Sequence, residues 1–105
     1  MRMGATIVMG RLSPDLIQRA VRERFADFRK CYEPKLELNP KLTGAVIARF
    51  TITRDGTVNH VVDDCSDLPD ADVVACSLNV FYDITFFPPE GGTVDVVYPM
   101  MFAPG

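Results

Sequence analysis

The chain has little of what several function classes require. It carries one histidine, His60, and no apolar run approaching the roughly 20 residues that span a bilayer. It has no basic excess: 11 Lys and Arg stand against 14 Asp and Glu, a formal net charge of −3. Nucleic-acid binding depends on cations that displace phosphate counterions, so this balance speaks against it. Repeats, low-complexity tracts and linkers are absent. The opening MRMGATIVMG is too short and broken for a secretory signal. Work outside the cytoplasm would therefore need an anchor or leader from a larger parent protein. Cysteine is scarce and odd in number, three in all, so at least one thiol is free or pairs between chains.

What is present fits one small domain. At 105 residues with 48% apolar content, the chain can bury one core and not two. The whole of 1–105 reads as a single domain, with 1–9 as an N-terminal strand or tail. ATIV at 5–8 reads as a short strand. Ser13 is a good N-cap and Pro14 suits the first helical position. From there Ile17, Val21, Phe25, Phe28 and Tyr32 form one apolar helical face. Glu33-Pro34 should end or kink this helix, a further turn through Leu36 and Leu38 can follow, and Asn39-Pro40 stops it. GAVIARFTITRDGTVNHVVD at 44–63 reads as a hairpin with a tight turn at Asp55-Gly56. A bulge near Asn59-His60 would bring Val58 and Val61 to one face. A second helix follows through VVACSLNVFY, capped by Asp67 or Asp70. After the FFPPEGG turn, 93–98 is the last strand, with Pro99 at an edge or a strand end.

The order is strand, helix, strand, strand, helix, strand. A right-handed crossover then places the strands in the order 57–63, 44–54, 93–98, with both helices on one face. The fold class is α+β, with a small, mostly antiparallel sheet.

No residue set stands out as catalytic or metal-binding. The segment 60–72 gathers His60, Cys65 and five aspartates, but its spacing matches neither an EF-hand nor a paired Cys/His zinc site. It reads as a solvated acidic loop that caps a helix. The basic residues of the first helix alternate with Glu23 and Asp27 and read as a solvated face. Arg49 and Asp95 should both lie on the uncovered sheet face, as an ion pair if adjacent. Ile47 and Val97 share that face. Cys31 and Cys76 fall on the two helices. From the residues alone, a disulfide and two buried thiols are both open.

The stretch from Gly10 through the hairpin, with SDLP and VVACSLNVFYDITFFPPEGGTVDVVYPMMFAPG, closely resembles the AgmX/PglI C-terminal domain, a TonB-like domain of envelope proteins. The hairpin with Asp55-Gly56, the helix ending in an aromatic residue and the Phe-Pro segment match the broader TonB C-terminal pattern. The resemblance implies a TonB C-terminal-like fold, at the end of an inner-membrane-anchored protein displayed in the periplasm. It implies protein binding rather than catalysis, with no cofactor. The partner would be an extended peptide of an outer-membrane or other envelope protein, in energy-dependent transport or gliding motility. Membrane contact would come only through the rest of the parent protein. TonB pairs such a peptide with the edge of its last strand, which maps here to Thr93, Val94, Asp95, Val96, Val97 and Tyr98. Cysteines matching Cys31 and Cys76 are frequent in the family, and the periplasmic setting favours a disulfide between them. Two features depart from TonB proper: a longer first helix, and an N-terminal strand that is a candidate cover for the same edge. The alternative is a self-associating, homodimeric module of an envelope complex.

Overall fold

Ser13 and Pro14 start the first helix as their chemistry dictates. The Ser13 hydroxyl accepts from the Asp15 amide at 3.2 Å, and Pro14 occupies a position where no amide is needed. The structure, a computed structural model, describes residues 2–3 and 6–104. In chain order the elements are β1 (Arg2–Met3), β2 (Ile7–Met9), α1 (Pro14–Arg22), α2 (Phe25–Leu38), β3 (Gly44–Ile52), β4 (Val58–Asp63), α3 (Ala71–Tyr82) and β5 (Val94–Phe102).

The single first helix expected from the apolar spacing is two helices. The break falls at Glu23-Arg24. The Arg24 amide turns back to the Val21 carbonyl at 2.9 Å, a tightened last turn, and the Arg24 carbonyl starts α2 by accepting from Asp27 and Phe28. A uniform run of apolar spacings cannot reveal this break, because both halves keep their apolar side toward the same core: Ile17, Val21 and Phe28 are all buried. Pro34 does not end the helix either. It lies inside α2 as an exposed residue, and the helix continues past it to Leu38. Leu38 ends the helix, and Asn39 caps it through its amide to the Lys35 carbonyl.

β5 pairs with β3 over nine residues, from Gly44–Phe102 to Ile52–Val94, all antiparallel. β4 flanks β3 on the other side, so the expected order of these three strands holds. From Val46 to Ile52 in β3 and throughout β5, even-numbered residues face the helices and are buried; the odd-numbered ones alternate to the other face, where Ala45 alone is buried. The core gathers on Phe81, whose ring lies 4.9 Å from Phe28 and 5.5 Å from both Phe50 and Tyr98. The hairpin carries the expected bulge. Arg49 faces Val62 while Thr51 faces Asn59, so His60 and Val61 stand opposite Phe50 alone, and His60 takes a φ of 55°. Val58 is then buried and Val61 packs against the core.

Three strand details differ from the sequence reading. The N-terminal strand expected at 5–8 runs over Ile7–Met9; Thr6 is outside it, and Ala5 lies outside the described residues. β5 does not stop near Pro99 but continues to Phe102. Ile47 explains how. It gives its carbonyl to the Asp64 amide and its own amide to the Ser66 hydroxyl, both on the side away from β5. Ile47–Pro99 is therefore a pair without hydrogen bonds, and the donor that Pro99 lacks faces outward. Arg49 also stands opposite Val97 rather than Asp95. It pairs with Asp64 at 3.9 Å, and Asp95 accepts instead from the Thr51 hydroxyl at 2.8 Å.

The hairpin turn is one residue longer than a two-residue turn. Thr53 and Thr57 close a loop of Arg54, Asp55 and Gly56, with Gly56 at a φ of +90°. The Asp55 carboxylate accepts from the Thr53 hydroxyl and from the hydroxyl and amide of Thr57, which lowers its pKa to about 2. The folded value lies below the ordinary 3.8, so this contribution is complete above about pH 4 and fades as pH falls toward 2. Asp55→Asn should therefore flatten the stability loss over that window, read by urea melts at successive pH values. A Cβ on Gly56 would collide with the Phe86 carbonyl oxygen, which is backbone and cannot swing aside. Gly56→Ala should cost more than about 1 kcal/mol in the same assay.

Candidate functional site

Three pairs along α2 and α3 keep one antiparallel register. Arg24 meets Asp83 at 3.0 Å, Cys31 meets Cys76, and Lys35 meets Asp72 at 2.9 Å. Beneath them the Phe28 and Phe81 rings touch edge to face. Asp70 caps α3 by accepting from the Asp72 and Val73 amides, which settles the choice between the two candidate caps. The hydrogen bond from Arg24 holds Asp27 below the usual carboxylate range. The bond to Asp72 holds Lys35 above its ordinary value.

Cys31 and Cys76 form a disulfide, with a Cα–Cα distance of 5.7 Å. Cys31 is buried and Cys76 exposed, so the bridge lies on the outer side of the helix seam, in a shallow depression bordered by Arg24, Lys30 and Asp83. Neither sulfur is a free thiol. Cys65 is free and exposed, at a φ of 63°. His60 is exposed on the β4 bulge.

The acidic loop is occupied with local structure. Asp67 accepts the Ala45 amide at 2.6 Å and Asp63 accepts the Ser66 amide at 2.9 Å. Among the described residues no three His, Cys, Asp or Glu side chains converge as metal ligands do. Among them, too, no helix is long and apolar enough to cross a membrane.

The six residues 93–98 divide by parity. Thr93 precedes the strand and the other five lie in β5. Val94, Val96 and Tyr98 are fully buried, and burial pushes the Tyr98 phenol pKa up. Ala45 and Ile47 spend their backbone groups on the β4 side. By strand alternation, the β3–β5 hydrogen bonds then run through the pairs Val46–Met100, Ala48–Tyr98, Phe50–Val96 and Ile52–Val94. Asp95 and Val97 consequently turn their amides and carbonyls outward, away from β3. That outer lane is not empty. Ile7, Val8 and Met9 of β2 lie antiparallel to Val97, Val96 and Asp95, and Arg2 and Met3 of β1 pair with Met101 and Met100. The sequence raised this covering strand as a candidate; its register against β5 had no signal in the residues.

The uncovered sheet face carries an apolar row. Ile7, Val97 and Val62 lie across the sheet with Arg49 between the last two. Ile7, Met9 and Val62 are among the most exposed large apolar side chains.

No protein-family model matches the chain. No curated protein matches it either. Among solved structures, the NMR solution structure of the Helicobacter pylori TonB C-terminal domain superposes with a TM-score of 0.54 at 19% identity. The match covers 88% of this chain and 94% of that one. The chain therefore has a TonB C-terminal-like α+β fold.

The disulfide closes a span of 45 residues, for which chain entropy gives roughly 4 kcal/mol as an upper value. The Cys31→Ser/Cys76→Ser double variant should lose up to that amount in urea melts. Peptide mapping of protein purified without reductant should recover Cys31 linked to Cys76 and Cys65 alkylated.

Proposed function

We propose that this chain is a non-enzymatic protein-interaction domain that binds an extended peptide of a partner by strand addition at β5. The observation that carries the reading is a TonB C-terminal-like fold whose last strand turns the backbone of Asp95 and Val97 away from β3, toward the outer lane that only the short β2 occupies. Main-chain bonding at such an edge supplies affinity, and alternate side chains supply selectivity. The binding residues would be Thr93 to Tyr98, with Asp95 and Val97 making the hydrogen bonds and the buried Val94, Val96 and Tyr98 holding the edge in place.

The disulfide supports a periplasmic location, since such bonds persist in oxidising compartments. A parent protein anchored in the inner membrane would then present this domain to an outer-membrane or other envelope protein. The residues resembling the AgmX/PglI domain point to a gliding-motility or energy-transducing complex. Catalysis finds no support in the helix seam, where both sulfurs are bonded, or in the acidic loop, where Asp63, Asp67 and Asp70 bind backbone amides.

A second reading has its own observation. The apolar row on the uncovered face, with Ile7, Met9 and Val62 exposed, suits a homodimer.

Peptides selected from a displayed library against the oxidised domain should shift the amides of Asp95 and Val97 most in NMR titrations. Shifts confined to α1 or to the open face would sink strand addition at β5. A sedimentation series without peptide separates the second reading: a concentration-dependent dimer is its expected result, and a monomer throughout excludes it.

A further inference from the structure

The lane beside β5 is occupied by the chain's own N-terminal strand, and the manner of that occupation is informative. Since Asp95 and Val97 turn outward, the Ile7–Val97 and Met9–Asp95 pairs carry the β2–β5 hydrogen bonds. Val8 faces the helix side and is half-buried against the core. Ile7 and Met9 are 56% and 59% exposed on the opposite face. β2 is thus held by backbone bonds and one apolar side chain. Its ladder does not run on: Pro99 offers no donor to the lane, and β1 resumes beyond it one residue out of register with β2. At the other end Gly10, at a φ of +139°, passes so close that a Cβ would lie 2.7 Å from Val94 Cγ2. The lane is therefore short, bounded by Pro99 and by the Gly10 crossing.

We propose that Ile7–Met9 is an intramolecular stand-in for the partner strand. It closes the β5 edge in the free chain and yields to a partner peptide that enters antiparallel to β5, with one β-branched apolar residue opposite Val96. This rests on reading β5 as the binding edge. It adds a direction, a length, a side-chain requirement and an internal competitor. The competitor weakens apparent affinity by the fraction of time the lane is open: an edge free one-tenth of the time binds about tenfold more weakly.

The test uses the full chain and its Ile7→Pro variant, with a labelled peptide of the chain's own residues 5–10, ATIVMG, as probe. Proline at 7 removes the amide that faces the Val97 carbonyl, and the side chain it replaces is more than half exposed, so the core is untouched. Met9→Pro, which removes the donor facing Asp95, is the companion variant should the first fold poorly. In either variant the Val97 amide should exchange at least about tenfold faster, while the Val96 amide, bonded to β3, keeps its protection. The probe should bind the variant about tenfold or more tightly than the wild type, and a probe carrying Asp in place of its Val should bind neither. Equal probe affinity for wild type and variant overturns the stand-in and leaves strand addition standing. A released Val97 amide with no probe binding overturns both. Unchanged Val97 protection in both variants shows that β2 is not what closes the edge, and overturns the stand-in.

Discussion

The nine-residue antiparallel pairing of β3 with β5 is the constraint on which the rest of the molecule depends. Its alternation does two things at once. It commits Val46, Ala48, Phe50 and Ile52 with Val94, Val96, Tyr98 and Met100 to the helix-covered face, where all are buried. It also commits the backbone of Asp95 and Val97 to the outer side of β5. The inner faces give the aromatic core around Phe81 its floor; the outer backbone gives the edge its bonding capacity. A shift of one residue would invert both. The Ile47 and Ala45 contacts to Asp64, Ser66 and Asp67 hold the other side of β3 to the loop that follows β4.

The helices respond to that floor rather than determine it. α2 and α3 lie antiparallel, with ion pairs at each end of the seam and the disulfide between them. The break at Glu23-Arg24 has a clear consequence. It frees the Arg24 side chain to reach both Asp27 and the C-terminal end of α3, where it meets the Asp83 carbonyl and carboxylate. The bridge sits beside the Phe28–Phe81 contact, so a covalent link and an edge-to-face aromatic contact fasten the same pair of helices.

The candidate edge shows a tension common to sheets. An exposed strand edge invites uncontrolled pairing, and natural proteins cover or blunt it. Here β5 has both devices. Pro99 removes one outward donor, and β2 covers Asp95 and Val97. The covering strand packs only Val8 against the core, with Ile7 and Met9 exposed. The alternation of Val94, Val96 and Tyr98 made the last strand and its buried face legible; the edge at 93–98 came only as what the resemblance to the TonB C-terminal domain implies. The bulge at His60 was legible too, since Val58 and Val61 can share a face only if a residue is inserted between them. The helix break and the continuation of β5 through Pro99 were not. The break leaves the apolar spacing undisturbed. The continuation depends on which way the Pro99 backbone faces, which is set by bonds that Ile47 makes on the far side of β3.

By itself the sequence determined most of the elements, the faces of the two central strands, the helix start at Ser13, and the candidates Cys31 and Cys76 for a bridge. Those are properties of side-chain period, capping chemistry and proline and glycine geometry, which act within a few residues of one another. Only the tertiary structure decided that the bridge forms, that Arg49 meets Asp64 and not Asp95, and that residues 7–9 lie in the lane of β5. Each of these is a matter of registry between segments distant in the chain. Registry is set by the summed packing of a whole sheet, to which no local pattern of residues has access.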